Sequence, residues 1–323
     1  MSPSNVDPGH CILTKQYRVF TPPIYEMTAK IGDWVDQQRP GGFIYGASRL
    51  GKSSAIRYYL EDTLAERFKT TIPLVIWNRL PDSQPTQASF WHHLLMASRF
   101  QFVNPEKPAT STKGAYLCIQ RFISIAKSAG RNYVVLLIDE AQEMTLKEWK
   151  WLVGLQNQLD YEGIFLSVFS VGTRQLGYKH DYLASTGNAH VAARFMTAHA
   201  RFHGIRSVEE LAYVLNGYDV DSEWPEGTGA SYLKAFAPTS FAAGKRLSDH
   251  AGFFWRALLE LRPPPARNIS EFPMEHIART IEDLLKQLAT GKHWDEVMEY
   301  NSWLKGLAAN NFSGHMRAIA TTG

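Results

Sequence analysis

Cysteine is almost absent from this chain: Cys11 and Cys118 are the only two in 323 residues. Neither lies in a Cys-x-x-Cys pair or at zinc-ligand spacing, so both are expected to stay reduced and neither marks a redox or metal module. No apolar run approaches the ~18 residues that a membrane-spanning helix needs, so no membrane contact is expected. The first residues are polar, with Pro3, Asp7 and Pro8, and lack the apolar core of a signal peptide. The expected location is the cytoplasm. Neither sign of charge dominates, and a net charge of +3 is too small to imply nucleic-acid binding by itself. With 45% hydrophobic and 20% charged residues, the chain is long enough for one large globular domain or two smaller ones.

Against these absences stands one strong motif. Gly46-Ala-Ser-Arg-Leu-Gly51-Lys52-Ser53 fits G-x-x-x-x-G-K-[ST], the loop that cradles nucleotide phosphates. Gly42-Phe-Ile-Tyr45 before it reads as a buried parallel strand. The residues after it, with Ile56, Tyr59, Leu60, Leu64 and Phe68 at helical spacing, predict one helix over 52–68. Gly46 and Gly51 let the backbone turn its N–H groups toward a phosphate. The candidate ATP contacts are Gly46, Ala47, Ser48, Arg49, Leu50, Gly51, Lys52, Ser53 and Ser54. Lys52 is the residue for the β- and γ-phosphates, and the Ser53 hydroxyl is a candidate Mg²⁺ ligand.

Tyr133-Val-Val-Leu-Leu-Ile138-Asp139-Glu140 is the second signal: an apolar run that ends in two carboxylates. Such a run predicts a central strand with its acids at the carboxyl edge, where open α/β sheets bind ligands. Asp139 is then the second candidate Mg²⁺ ligand, and Glu140 the residue to polarise an attacking water. A later apolar run, Ile164 to Val171, ends in Gly172-Thr173. Thr173 either bonds the water or γ-phosphate, or merely closes the strand. Strands alternating with helices predict a parallel α/β sheet sandwiched by helices. Helices expected near 207–216, 229–237, 247–261 and 274–288 form a small helical lid. The expected divisions are an extended arm over 1–24, an ATPase domain over 25–205, the lid over 206–290 and a tail over 291–323.

The order of these motifs, with Ala192-Ala-Arg194-Phe195 ahead of another strand-like stretch, resembles AAA+ ATPases. More narrowly it resembles TnsC and TniB, ATPase regulators of bacterial transposons, CRISPR-associated ones included. Ser48-Arg49 within the phosphate loop, Ile138-Asp-Glu-Ala141, Val171-Gly-Thr-Arg174 and Arg194-Phe195 followed by Ala200-Arg201-Phe202 carry that likeness. It extends over roughly residues 20–290 and departs at 218–246 and beyond 290. The resemblance implies a DNA-associated bacterial ATPase that uses ATP and Mg²⁺ and assembles into a ring or filament of six or seven subunits. The implied partners are duplex DNA bound without regard to sequence, a target selector of the TniQ or TnsD type, and a transposase of the TnsA or TnsB type. Arg194 falls where the family places an arginine finger for the neighbouring subunit. Arg246, in Gly244-Lys-Arg-Leu247, falls at its sensor arginine, with Lys245 as the alternative.

Charge is uneven along the chain. Residues 99–131 hold six basic residues against the single acid Glu106, and within them Lys107, Thr112, Lys113 and Arg121 are candidate phosphate contacts. No zinc module or helix-turn-helix is visible for base-specific readout. His199 and His203 are four apart in a strand-like segment and would not share a face, which disfavours metal binding. The alternative function is an ATP-dependent remodelling or signalling switch that acts on proteins rather than DNA.

Overall fold

A computed structural model describes residues 6–322 and divides the chain into two compact units. The first holds residues 26–48 and 52–202. Its elements run α1 (Pro22–Asp36), β1 (Gly41–Tyr45), α2 (Lys52–Tyr58), α3 (Leu60–Phe68), β2 (Leu74–Asn78), α4 (Gln87–Ala97), α5 (Ser111–Ser128), β3 (Tyr133–Asp139), α6 (Leu146–Tyr161), β4 (Phe165–Gly172), α7 (Gln175–Ser185), α8 (Ala189–Phe195) and β5 (His199–Arg201). The five strands form one parallel sheet in the order β2-β3-β4-β1-β5. This is an α/β fold, a parallel sheet between layers of helices. All seven residues of β3 are buried, as an apolar central strand covered on both faces requires.

Helix starts follow their capping chemistry. Thr86 caps α4 in a reciprocal box with Ser89, and Thr145 caps α6 in one with Glu148. The single helix expected over 52–68 is bent instead. Tyr59 leaves helical geometry at φ −127°, although its N–H still reaches Ala55 and its carbonyl accepts from Thr63. Two further helices, α7 and α8, lie between β4 and β5.

The second unit holds, of the described residues, 6–25, 49–51 and 203–322. It is helical: α9 (Val208–Asp219), α10 (Tyr232–Phe236), α11 (Pro238–Ala242), α12 (Ala251–Glu260), α13 (Met274–Ala289), α14 (Trp294–Val297), α15 (Tyr300–Ala309) and α16 (Phe312–Thr322). Residues 6–20 do not run as an extended arm. Ile12 is fully buried, and the Tyr17 hydroxyl donates to Glu282 at 2.7 Å. The residues beyond 290 pack here too, with Trp303 stacked on Phe254 at 4.5 Å between ring centroids. Burying such large aromatics is what ties both chain ends into this core.

Inside this unit His276 Nε2 and His315 Nδ1 lie 2.8 Å apart, within hydrogen-bond distance. Burial, then the neighbouring His315, lowers the His276 pKa to about 4, with Glu275 opposing and Arg279 and Arg49 adding. An unfolded histidine titrates near ~6.5. As pH falls below that value the unfolded chain gains a proton that the folded chain refuses, so stability is lost until the folded pKa is reached. Chemical denaturation should give a His276-dependent loss of about 2 kcal/mol between pH 7 and 4.5. His276→Gln should remove that part of the pH dependence; an unchanged slope would refute the account.

Candidate functional site

The chemistry-bearing side chains of the sheet unit converge at the carboxyl ends of β1, β3 and β4. Gly46 follows β1 where the chain passes tightly against residue 202: a Cβ there would lie 2.3 Å from the Phe202 carbonyl oxygen. Its N–H donates to the Gly172 carbonyl at 3.1 Å, which joins the loop to the end of β4. Arg49 at φ +63° and Gly51 at φ +118° turn the loop back on itself. Gly51's conformation is one that only glycine adopts readily. Ala47 is half-buried, Leu50 is buried, and Ser48, Ser53 and Ser54 are exposed.

Lys52 opens α2 and is buried, its ammonium donating to the carbonyls of Gly46 at 3.0 Å and Ala47 at 2.6 Å. Burial lowers its pKa, and the charges of Glu140 and Asp139 oppose that shift. Asp139 is buried at the end of β3 with its pKa raised by burial. The Ser53 hydroxyl and the Glu140 N–H bond the carboxylate and pull the other way. Glu140 follows in the left-handed region at φ +56°, a conformation that costs a non-glycine residue ~1–2 kcal/mol and is kept mostly where function fixes it. The Thr173 Oγ1 is buried without a hydrogen-bond partner just past β4. A buried cation beside two carboxylates, a hydroxyl–carboxylate pair and an unpaired hydroxyl fit a magnesium-bound nucleotide in donor chemistry and charge.

Other candidates lie apart from this edge. Arg194 ends α8 beside the opposite, amino-terminal edge of the sheet. Its carbonyl oxygen would lie 2.7 Å from a Cβ on Gly41, and its guanidinium donates to Asn157 Oδ1 at 2.5 Å. Arg49 belongs with the helical unit, where it donates to both oxygens of Glu275 at 2.7 Å. Arg246, in the same unit, donates to the carbonyls of Phe241 and Lys245 and lies 4.1 Å over the Phe241 ring. Lys107, Thr112 and Lys113 are exposed, the last two in the first turn of α5. Arg121 is half-buried, and its guanidinium donates to the Ser98 carbonyl at the end of α4.

Two features escaped the sequence reading. Arg79 is buried just past β2, ion-paired with buried Glu148 at 2.9 Å, and its N–H donates to the Asp139 carbonyl. Gln142 touches both Glu140 and Thr173.

Residues 35–177 match the family model described as an AAA domain. The chain has the AAA+ P-loop NTPase fold. The Drosophila ORC bound to DNA is similar over 93% of this chain and 67% of that one, with a TM-score of 0.54 at 12% identity. The Aeropyrum pernix ORC1 protein in complex with DNA is similar over 92% and 86%, with a TM-score of 0.45 at 14% identity. Domain III of the Thermotoga maritima replication initiation protein DnaA covers 94% and 98%, with a TM-score of 0.45 at 13% identity. No curated protein sequence matches. Among the described residues no helix is long and apolar enough to cross a membrane, and no group of three or more His, Cys, Asp and Glu could hold a metal.

Proposed function

We propose that this chain is an ATP-hydrolysing switch that assembles on duplex DNA. The observation that carries the reading is the meeting of Lys52, the Ser53–Asp139 pair, Glu140 and Thr173 at one sheet edge. Lys52 would bind the β- and γ-phosphates, and Ser53 and Asp139 would hold Mg²⁺, whose charge would offset that of the phosphates. Glu140 orients and deprotonates the attacking water, while the Thr173 hydroxyl bonds the γ-phosphate or that water. Arg194 serves the site of a neighbouring subunit, which makes turnover depend on assembly. Arg246 acts as the sensor arginine.

DNA enters through charge. Lys107 and Lys113 stand exposed along one depression, lined also by Thr110, Phe102 and Asn104, with Phe102 84% exposed. With Arg121 held by Ser98, the lysines and Thr112 are left to meet phosphates, and in a multimer each subunit repeats them. Contact with phosphates rather than bases predicts binding without sequence preference. Lys107→Ala with Lys113→Ala should weaken ATP-dependent binding to unrelated duplexes alike, about tenfold at 0.1 M salt, and lower the salt slope by about 2. Fluorescence anisotropy measures both. Equal affinity in the double variant, or strong preference for one sequence, counts against this surface.

The finer reading is regulation of DNA transposition, with a TniQ- or TnsD-type target selector on one side and a TnsA- or TnsB-type transposase on the other. It is supported by the sequence likeness to TnsC and TniB in the phosphate loop, in Ile138-Asp-Glu-Ala141 and in the Arg194–Phe202 stretch. Electron microscopy with ATP and duplex DNA tests the assembly. A ring or helical filament around DNA is expected; a monomer indifferent to DNA would favour a switch that acts on proteins.

A further inference from the structure

Gln142 lies two residues past Glu140, in the single turn of 3-10 helix over Ala141–Glu143. Both ends of its side-chain amide are used. Oε1 accepts from the Thr173 N–H at 3.1 Å, and Nε2 donates to Glu140 Oε2. A primary amide is planar with one acceptor end, so committing the oxygen to Thr173 turns the nitrogen toward Glu140. The backbone beneath is fixed as well. The Lys179 ammonium donates to the main-chain carbonyls of Gln142 and Met144. The Glu143 N–H donates to the Glu140 carbonyl at 2.9 Å, closing the turn.

Gly172 completes the seat. A Cβ at that position would lie 2.2 Å from Gln142 Oε1 and 2.9 Å from Leu176 Cδ1, so any other residue there pushes against both the amide and the Leu176 side chain. Glycine at the end of β4 thus has a reason unconnected with backbone freedom: it makes room for a side chain from the end of β3. Glu140 itself sits at φ +56°, so its carboxylate direction is set by a strained residue and one side-chain partner.

We propose that Gln142 is a positioning residue that couples Thr173 to the Glu140 carboxylate. It ties up Oε2 and thereby aims Oε1 at the water. A displacement of the Thr173 backbone, such as contact with a γ-phosphate would cause, passes through the amide to the carboxylate. The proposal rests on the reading of Glu140 as the water-activating group.

Three variants test it. Gln142→Leu removes both hydrogen bonds. Gln142→Glu keeps the acceptor for Thr173 but sets a carboxylate against Glu140. Gly172→Ala displaces the amide without changing it chemically, and presses on Leu176 as well. Amide hydrogen exchange of the nucleotide-free protein reads the geometry directly. Exchange at Thr173 should quicken about tenfold in Gln142→Leu and Gly172→Ala and stay slow in Gln142→Glu. Steady-state hydrolysis should lose about 10–100-fold in kcat in all three, the range for one hydrogen bond to a charged group, with KM for ATP and affinity for a non-hydrolysable analogue within about twofold. The Gln142→Leu/Gly172→Ala double variant should lose no more than either single one, because both remove the same contact.

A kcat within twofold of wild type in Gln142→Leu and Gln142→Glu, while Glu140→Gln is inactive, overturns the coupling and leaves the role of Glu140 standing. Wild-type turnover in Glu140→Gln overturns that underlying reading. Unchanged Thr173 exchange in Gln142→Leu overturns the geometry. Should Gln142→Leu fold poorly, Gln142→Glu, at a half-buried position, carries the kinetic test alone.

Discussion

Glu140→Gln should bind ATP as the unaltered chain does and hydrolyse it 10²–10⁴-fold more slowly, the usual contribution of a positioned general base. Lys52→Ala should instead lose ATP binding itself. The two sites fail differently because they act on different atoms. Lys52 is a buried cation whose hydrogen bonds among the described residues go to the carbonyls of Gly46 and Ala47, so a phosphate gains a strong charge-assisted partner there. The Glu140 carboxylate accepts from Gln142 and acts on Lys52 through its charge. Glutamine is close to isosteric, so Glu140→Gln preserves shape and removes only basicity. Equilibrium binding of a fluorescent analogue and phosphate release under single-turnover conditions separate the two effects. Equal hydrolysis in Glu140→Gln and wild type would remove Glu140 from the chemistry, and tight binding by Lys52→Ala would do the same for Lys52.

The sheet and its site edge were legible because their signals are local. Tyr133–Asp139 is an apolar run with no polar interruption, and Gly46–Ser53 is contiguous. What could not be read depends on which strands lie side by side. Gln142 and Thr173 are 31 positions apart and meet because β4 is hydrogen-bonded between β3 and β1. Arg79 and Glu148 are 69 apart, and their burial as a pair is invisible to periodicity, which counts both as surface residues. Residues 6–20 carry no helical or strand period. Their order comes from single anchors, Ile12 in the aromatic core and Tyr17 on Glu282, and isolated anchors have no pattern to detect. Arg121 carries a contact that its charge does not announce: its guanidinium donates to the Ser98 carbonyl.

Arg194→Ala should bind ATP nearly normally, hydrolyse it on the order of 10³-fold or more slowly, and regain activity when mixed with Lys52→Ala. The expectation comes from where the sheet puts the residue. Arg194 packs at Gly41, the first residue of β1, whereas the phosphate loop leaves from the last, Tyr45. Four residue steps of strand separate those ends, a span of about 13 Å at ~3.3 Å per residue, well beyond an arginine side chain. Arg194 therefore cannot reach a phosphate held by its own loop, and a role in hydrolysis requires a second chain. Its present partner, the neutral amide of Asn157, is a weak hold for a guanidinium compared with a carboxylate, so exchanging it for a phosphate is favourable. In random mixed assemblies at equal amounts, about a quarter of interfaces pair an intact loop with an intact arginine, so activity should pass through a maximum as one variant is titrated into the other. The measurement is steady-state phosphate release at constant total protein with duplex DNA present. Light scattering on the same samples reports co-assembly. Flat, baseline activity at every ratio in samples that do co-assemble would exclude Arg194 from the neighbour's site.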